Sequence, residues 1–213
     1  HMFMCALAMI FAISPSAHSR PVSYPGGWTF MTHHSFDKTA LMVHYTTDTK
    51  HAFGYVAEYN DDKDWQFHGV LANYLAKRWN MPNSQANFYI NSAAGVAYSD
   101  YRAFDGKTEA AGYTGISFDW EDRRFFTMYE NRLTYAGDIE KSIDHMARLG
   151  VAPYIGDYGD VHSWLMLQAD LKPNNKQDEW TITPLVRFFK DIYLLEVGVS
   201  DQGEGLVNFV VRF

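Results

Sequence analysis

Apolar and polar side chains alternate through most of this chain, most regularly at its C-terminal end. In Gly205 to Phe213, the residues at every second position are apolar: Val207, Phe209, Val211 and Phe213. The residues between them are Leu206, Asn208, Val210 and Arg212. Because successive strand side chains point to opposite faces, this pattern predicts a β-strand with one continuous apolar face.

The same period of two recurs in further segments, which are separated by residues typical of turns. The predicted strands that precede the C-terminal one are Trp28 to Ser35, Ala40 to Thr46, Ala52 to Tyr59, Trp65 to Lys77, Ala86 to Tyr98, Gly112 to Glu121, Arg124 to Tyr135, Ile143 to Tyr154, Val161 to Leu171, Ile182 to Phe189 and Tyr193 to Ser200. The phase of the strand from Trp65 is ambiguous, because Val70 and Tyr74 compete with Leu71 and Leu75. Asn131 falls on the apolar face of its strand.

These segments favour an all-β chain that forms a single antiparallel transmembrane β-barrel of about twelve strands, with a range of ten to twelve. Each segment has roughly 8 to 13 residues, close to the length with which a tilted strand crosses the hydrocarbon layer. Closure pairs every backbone group and leaves no sheet edge exposed. Connections after odd-numbered strands, such as 99–109, are predicted to be longer than the turns at 122 and 190–191, as in barrels whose long loops face outward.

The C-terminal strand resembles the last strand of bacterial outer-membrane β-barrel proteins, whose closing aromatic residue is recognised by the assembly machinery. The resemblance implies a bacterial outer-membrane location with periplasmic N- and C-termini. It also implies two partners: the outer-membrane lipids, and the assembly machinery, through the strand that ends at Phe213. Aromatic residues near the predicted strand ends suggest girdles at headgroup level: Trp28, Tyr45, Tyr59, Trp65, Tyr98, Trp120 and Phe213.

The N-terminal residues have the pattern of a secretory signal peptide. An apolar run begins at Met2, and Ala17 and Ser19 are placed as signal peptidase requires for cleavage before Arg20. The run is shorter than the roughly 20 residues of a spanning helix, so we predict a signal peptide over 1–19 and the barrel over 20–213. The segment Pro21 to Gly27, punctuated by Pro and Gly, is predicted to be a short periplasmic lead-in.

Composition excludes some functions and leaves others open. The net charge of −7 and the pI near 5.7 give nucleic acid no basic surface to bind. The mean hydropathy of −0.29 does not argue against a membrane, because lipid-facing and lumen-facing residues alternate and their average cancels. The only cysteine, Cys5, lies within the predicted signal, and no cofactor is predicted.

Charged residues of both signs fall on the polar faces and would point into the lumen: Glu58, Asp119, Glu130, Arg132, Arg148, Asp170, Arg187, Glu196 and Arg212. In a narrow barrel such side chains would meet across the lumen and form charge-assisted hydrogen bonds. A selective channel would more often carry a ladder of one sign. We therefore expect a largely plugged polar lumen, in a barrel that is either a narrow passive conduit or a structural surface protein.

The first predicted hairpin offers soft metal ligands. A turn centred between Asp37 and Lys38 would pair His33 with Met42 and Met31 with His44, and all four side chains would point inward. Thioethers and imidazoles are ligands that suit Cu(I). An alternative function is therefore a copper-handling barrel, although a register slip of one residue would dissolve the set.

Two further alternatives are a lipid hydrolase and a soluble binding barrel. The spacing of His33 and Ser35 resembles that in outer-membrane lipid A deacylases, but no Glu on the next strand would orient the imidazole. In a soluble periplasmic barrel of the lipocalin kind, the apolar faces would instead line a cavity and the charged faces would meet water.

Overall fold

The computed structural model of this chain describes residues 20–35, 37–61, 64–100, 103–157, 159–173 and 179–213. The predicted signal peptide, 1–19, lies outside the described residues. Within the described ranges, twelve antiparallel strands form one closed barrel. No helix in these ranges is long and apolar enough to cross a bilayer.

Each predicted strand is confirmed, with ends that differ by a few residues. The strands are β1 (Trp28–His34), β2 (Lys38–Thr46), β3 (His51–Asn60), β4 (Trp65–Asn80), β5 (Ser84–Ser99), β6 (Lys107–Asp122), β7 (Phe125–Ala136), β8 (Glu140–Val151), β9 (His162–Lys172), β10 (Glu179–Lys190), β11 (Tyr193–Val199) and β12 (Gly205–Arg212). The predicted loop 99–109 is too long, because Ser99 pairs with Lys107 and β6 begins there. The hydrogen bonds between strands join backbone groups, so the polar side chains from which the loop was predicted do not prevent strand pairing.

The barrel closes through β1, which pairs with β2 on one side and β12 on the other. Trp28 N donates to Phe213 O at 2.7 Å, and Phe213 N donates to Trp28 O at 3.0 Å. We call this end of the barrel, where both termini lie, the terminal end. The opposite end, which carries the β1–β2 turn, is the loop end. Every strand thus has two neighbours, and the sheet has no free edge.

The predicted register of the first hairpin is wrong. Met31 lies opposite Met42, His33 lies opposite Ala40, and Thr29 lies opposite His44. The turn is centred one residue earlier than predicted, and Ser35 N donates to Lys38 O at 2.9 Å. The resulting shift of two residues changes the partners but leaves each side chain on its face.

Apolar side chains cover the outside of the barrel, as predicted. Val70 and Leu149 are 67% and 61% exposed, whereas Arg187 and Glu196 on the inner face are 1% exposed. The reverse arrangement expected of a lipocalin-like barrel is therefore not the one observed. Asn131, on the outer face, donates to His145 Nδ1 at 3.3 Å, and this cross-strand pair explains its position.

Strand β4 is apolar on both faces, which is why its phase was ambiguous. Phe67, Leu71 and Leu75 point inward and are buried, whereas Val70 points outward. Trp65 was predicted to belong to a girdle, but it is 3% exposed and packs inside. A β-bulge between Leu75 and Lys77 then shifts the alternation for the rest of the strand.

Close strand contact requires glycine at Gly95. A Cβ atom there would lie 1.9 Å from His68 O on β4, whereas one on Gly205 would meet nothing within 4 Å. We expect Gly95→Ala to destabilise the barrel by about 1–3 kcal/mol, because the paired backbones must separate. Gly205→Ala, the matched control, should stay within about 0.5 kcal/mol. Urea unfolding in detergent, followed by tryptophan fluorescence, measures both, and equal midpoints would contradict the packing described.

Candidate functional site

The lumen is organised around Glu196 on β11. Arg187 on β10 donates from Nε to Glu196 Oε1 at 2.6 Å, and Arg148 on β8 donates from Nη1 to the same oxygen at 2.9 Å. Asn208 on β12 donates to Glu196 Oε2 at 2.6 Å. All of the carboxylate's partners are charged or amide donors, so the buried charge is compensated by strong hydrogen bonds.

This network extends to two more strands. Arg148 Nε donates to Gln168 Oε1 on β9 at 3.0 Å. On the other side, His33 Nδ1 on β1 is hydrogen-bonded to Asn208 Oδ1. The group therefore ties together six consecutive strands, from β8 through β12 to β1.

A second ion pair joins strands that are not neighbours. Arg132 on β7 donates from Nη1 and Nη2 to the two carboxylate oxygens of Glu58 on β3, at 2.8 and 2.6 Å. The guanidinium also lies 3.6 Å from the ring centroid of Tyr113 on β6. This bidentate pair crosses part of the lumen, between strands that are four apart in the ring.

The other predicted lumen residues also face inward. Asp119 accepts from Asn87 Nδ2 at 2.7 Å, and Asp170 accepts from Gln168 Nε2 at 2.8 Å. Glu130 lines the interior cavity. Within the described part of the chain, Arg212 Nε and Nη2 are buried without a hydrogen-bond partner.

The lumen also contains apolar clusters that were not predicted from the sequence. At the loop end, Trp65, Phe67 and Leu71 of β4 pack with Val56 and with Ile139 from the β7–β8 turn. A second cluster includes Phe126 and Trp164, whose rings meet edge to face at 6.4 Å. The doubly apolar pattern of β4 was the sequence signal for the first of these clusters.

One interior cavity of about 270 Å³ remains between these fillings. It runs from Lys38 and Lys172 near the loop end to Pro21 near the terminal end. Its lining includes charges of both signs, among them Glu58 and Arg148. A cavity of this volume is large enough to hold several water molecules.

The four proposed metal ligands all line this cavity, but not in the predicted pairs. Met31 lies directly opposite Met42, and His44 is two residues from Met42 on the same face. His33 is directed to Asn208 and lies opposite Ala40. Among the described residues, no three His, Cys, Asp or Glu side chains are grouped to hold a metal ion.

The residues of the proposed hydrolase pair are each bonded elsewhere. Ser35 Oγ donates to Asp37 Oδ1 at 2.8 Å, and His33 Nδ1 is bonded to Asn208. This arrangement does not place the imidazole to take a proton from the serine hydroxyl.

No protein-family model and no curated protein sequence matches this chain. Among solved structures, the KdgM porin is 11% identical, with a TM-score of 0.50 over 88% of this chain and 98% of that one. The KdgM porin in complex with disordered oligogalacturonate is also 11% identical, with a TM-score of 0.51 over the same shares. LpxR from Salmonella typhimurium is 7% identical, with a TM-score of 0.47 over 88% of this chain and 99% of that one, too low to support any inference.

At such low identity, the porin similarity establishes the fold alone. The chain has the closed-barrel fold that outer-membrane β-barrel proteins such as this porin adopt, and the predicted fold class is confirmed.

The stability of the barrel should depend on Glu196. Glu196→Gln leaves Arg148 and Arg187 buried without their carboxylate, and we expect a loss of about 3–5 kcal/mol. Asp138→Asn is the matched control, because it removes a carboxylate that is 2.5 Å from Lys107 but lies in an exposed turn. The hydrogen bond from Lys107 lowers the pKa of Asp138, yet its loss in water should change stability little. Urea unfolding compares the two, and similar midpoints would contradict a central role for Glu196.

Proposed function

We propose that this protein is an integral outer-membrane barrel and a narrow passive conduit for small, water-soluble solutes. The observation that carries the proposal is the cavity along the barrel axis, lined by fixed charges inside an apolar exterior. The ion pairs Glu58–Arg132 and Arg148–Glu196 largely plug the lumen and leave only the narrow path beside them.

The exterior supports placement in a bilayer, with lipids as its permanent partners. Trp28 and Tyr45 pack outside the terminal end with ring centroids 5.2 Å apart, and Phe213 is exposed beside them. Tyr59 is exposed near the loop end. Aromatic rings at both ends suit the two headgroup regions, and the exposed residues between them include aliphatic and aromatic side chains such as Val70, Leu149 and Tyr129.

We further propose that both termini are periplasmic and that the assembly machinery recognises the strand ending at Phe213. The outward side of β12 supports this, because Val207 and Phe213 are exposed on the apolar face. Connections at the loop end, such as 100–106, are mostly longer than the terminal-end turns 123–124 and 191–192. The connection 152–161, at the terminal end, is an exception.

The lining of the cavity suggests the class of solute. Lys38 and Lys172 face Glu130, Asp144 and Asp170 near the loop end of the cavity, so charges of both signs line it and carboxylates are in the majority. A polyanion such as oligogalacturonate, found with the KdgM porin, would meet these carboxylates. We therefore propose neutral or zwitterionic solutes of low mass for this chain.

Planar-bilayer recording tests the conduit. We expect small openings with at most a weak preference for cations in a potassium chloride gradient, because charges of both signs line the path and carboxylates are in the majority. The Asp138→Asn variant, which alters a charge outside the lumen, should behave as the wild type does. Strong selectivity for one ion sign would contradict the proposed solute class, and the absence of openings from the reconstituted wild-type protein would contradict the conduit.

A second candidate function is binding of Cu(I) by Met31, Met42 and His44. One observation favours it: within the described residues, both ring nitrogens of His44 are buried without a hydrogen-bond partner, and the side chain is 1% exposed. The directly opposed methionines lie beside it, and the three side chains can reach a common point by the spacing of paired strands.

Competition titration with a coloured Cu(I) chelator tests this site in the detergent-solubilised protein. We expect one bound ion, and at least about tenfold weaker binding in Met42→Leu because a thioether ligand is lost. Met81→Leu, at an exposed methionine in the β4–β5 turn, should bind as the wild type does. Equal affinities in the two variants would exclude this role for Met42.

A further inference from the structure

The residues before β1, predicted from the sequence to be a short periplasmic lead-in, fold back into the barrel. They turn into the terminal end of the lumen, where Val22 is 1% exposed. Its side chain belongs to a buried cluster with Ala52, Leu75 and Tyr89, on β3, β4 and β5. We call residues 20–23 the strap.

The polar contacts of the strap join it to successive strands around the terminal end of the barrel, which we call the terminal mouth. Ser23 N donates to Thr46 Oγ1 on β2 at 3.2 Å. Asn73 Nδ2 on β4 donates to Pro21 O at 3.1 Å, and Arg20 Nη2 donates to Glu121 Oε1 on β6 at 2.5 Å. The strap therefore reaches from β1 to β6, about half of the ring, and Pro21 forms the floor of the cavity.

The strap is held less firmly than the segment that tethers it. Gly26 N donates to Thr46 O at 2.8 Å, and Thr46 N donates to Gly27 O at 2.9 Å, so backbone bonds fix the tether to β2. The strap itself is held by one buried valine and by contacts that each involve a side chain. It can leave the lumen without breaking any strand ladder.

Polar groups near the strap would gain hydrogen bonds to water if the strap left the lumen. His44, Thr29 and Arg212 lie side by side across β2, β1 and β12. Among the described residues, Thr29 Oγ1, both nitrogens of His44, and Arg212 Nε and Nη2 are buried and unpaired. Buried unpaired groups are costly, and water entering the opened mouth would pair them.

We propose that the strap is a gate, which closes the terminal mouth in the conformation described and opens by swinging away from Glu121 and the Val22 pocket. The gate deepens the proposed conduit function and rests on it. Opening joins the cavity to the solution at the terminal end and hydrates Thr29, His44 and Arg212.

Thiol labelling tests the gate without requiring ion flow. In a Cys5→Ser background, Thr29→Cys reports access to the mouth by a charged, membrane-impermeant thiol reagent. We expect Val22→Asp, which places a charge in the apolar pocket, to speed labelling at least about tenfold. Val161→Asp is the matched control, since Val161 is an exposed valine at the same end of the barrel.

A disulfide lock provides the second test and does not depend on Val22→Asp folding. Ser23→Cys with Thr46→Cys joins the strap to β2 at a site where the two residues are already in contact. In planar bilayers, the oxidised pair should lower the open probability, and dithiothreitol should restore it. Measurable currents that are equal in the locked and reduced states, or labelling unchanged by Val22→Asp in a folded barrel, would overturn the gate.

The two proposals fail in different ways. Faster labelling in Val22→Asp without current in any variant would keep the gate and overturn the conduit. Steady current that is the same with the disulfide oxidised and reduced would support the conduit and overturn the gate.

Discussion

Pairing between the first and last strands imposes the constraint on which the rest of the structure depends. The ladder from Thr29–Arg212 to His34–Val207 closes the ring, so no strand offers unpaired backbone groups to its surroundings. In hydrocarbon, where water cannot satisfy a free N–H or C=O, only such closure makes a sheet stable. Closure also fixes the alternation of faces, because each strand must then present one side chain set to the lumen and one to the outside.

The inner face must accommodate buried charged side chains at a low cost in free energy. Glu196 binds Arg148 and Arg187, and Glu58 binds Arg132, which lies four strands away in the ring. Each buried charge of these pairs is met by an opposite charge, without which its burial would be strongly unfavourable. The same contacts occupy part of the lumen, beside the cavity that extends from Lys38 to Pro21.

Much of this fold could be predicted from the alternation of side chains, and the failures have identifiable causes. The apolar set Val207, Phe209, Val211 and Phe213 defined the outer face of β12 without ambiguity. Strand β4 could not be phased, because Leu71 and Val70 are equally apolar, and because a bulge after Leu75 breaks the period. The first hairpin was misregistered, because moving its turn centre by one residue exchanges every cross-strand partner while keeping each face.

The candidate site was predictable only in part. Periodicity placed the charged residues inside, but it could not show which of them pair across the ring, since that depends on strand tilt and stagger. It also gave no sign that Pro21 and Val22 fold back into the lumen, because Pro and Gly mark an irregular segment without saying where it goes.

The central claim is that the barrel faces lipid with its apolar side and encloses a polar lumen. Two adjacent residues of β5 test it directly: Ile90 is exposed on the outside, and Asn91 lines the cavity. Nitroxide labels on Ile90→Cys and Asn91→Cys, in a Cys5→Ser background reconstituted in lipid vesicles, can be compared by their collisions with oxygen and with a water-soluble nickel complex. Oxygen should dominate at position 90 and nickel at position 91. The opposite order, or nickel dominance at both positions, would contradict this account.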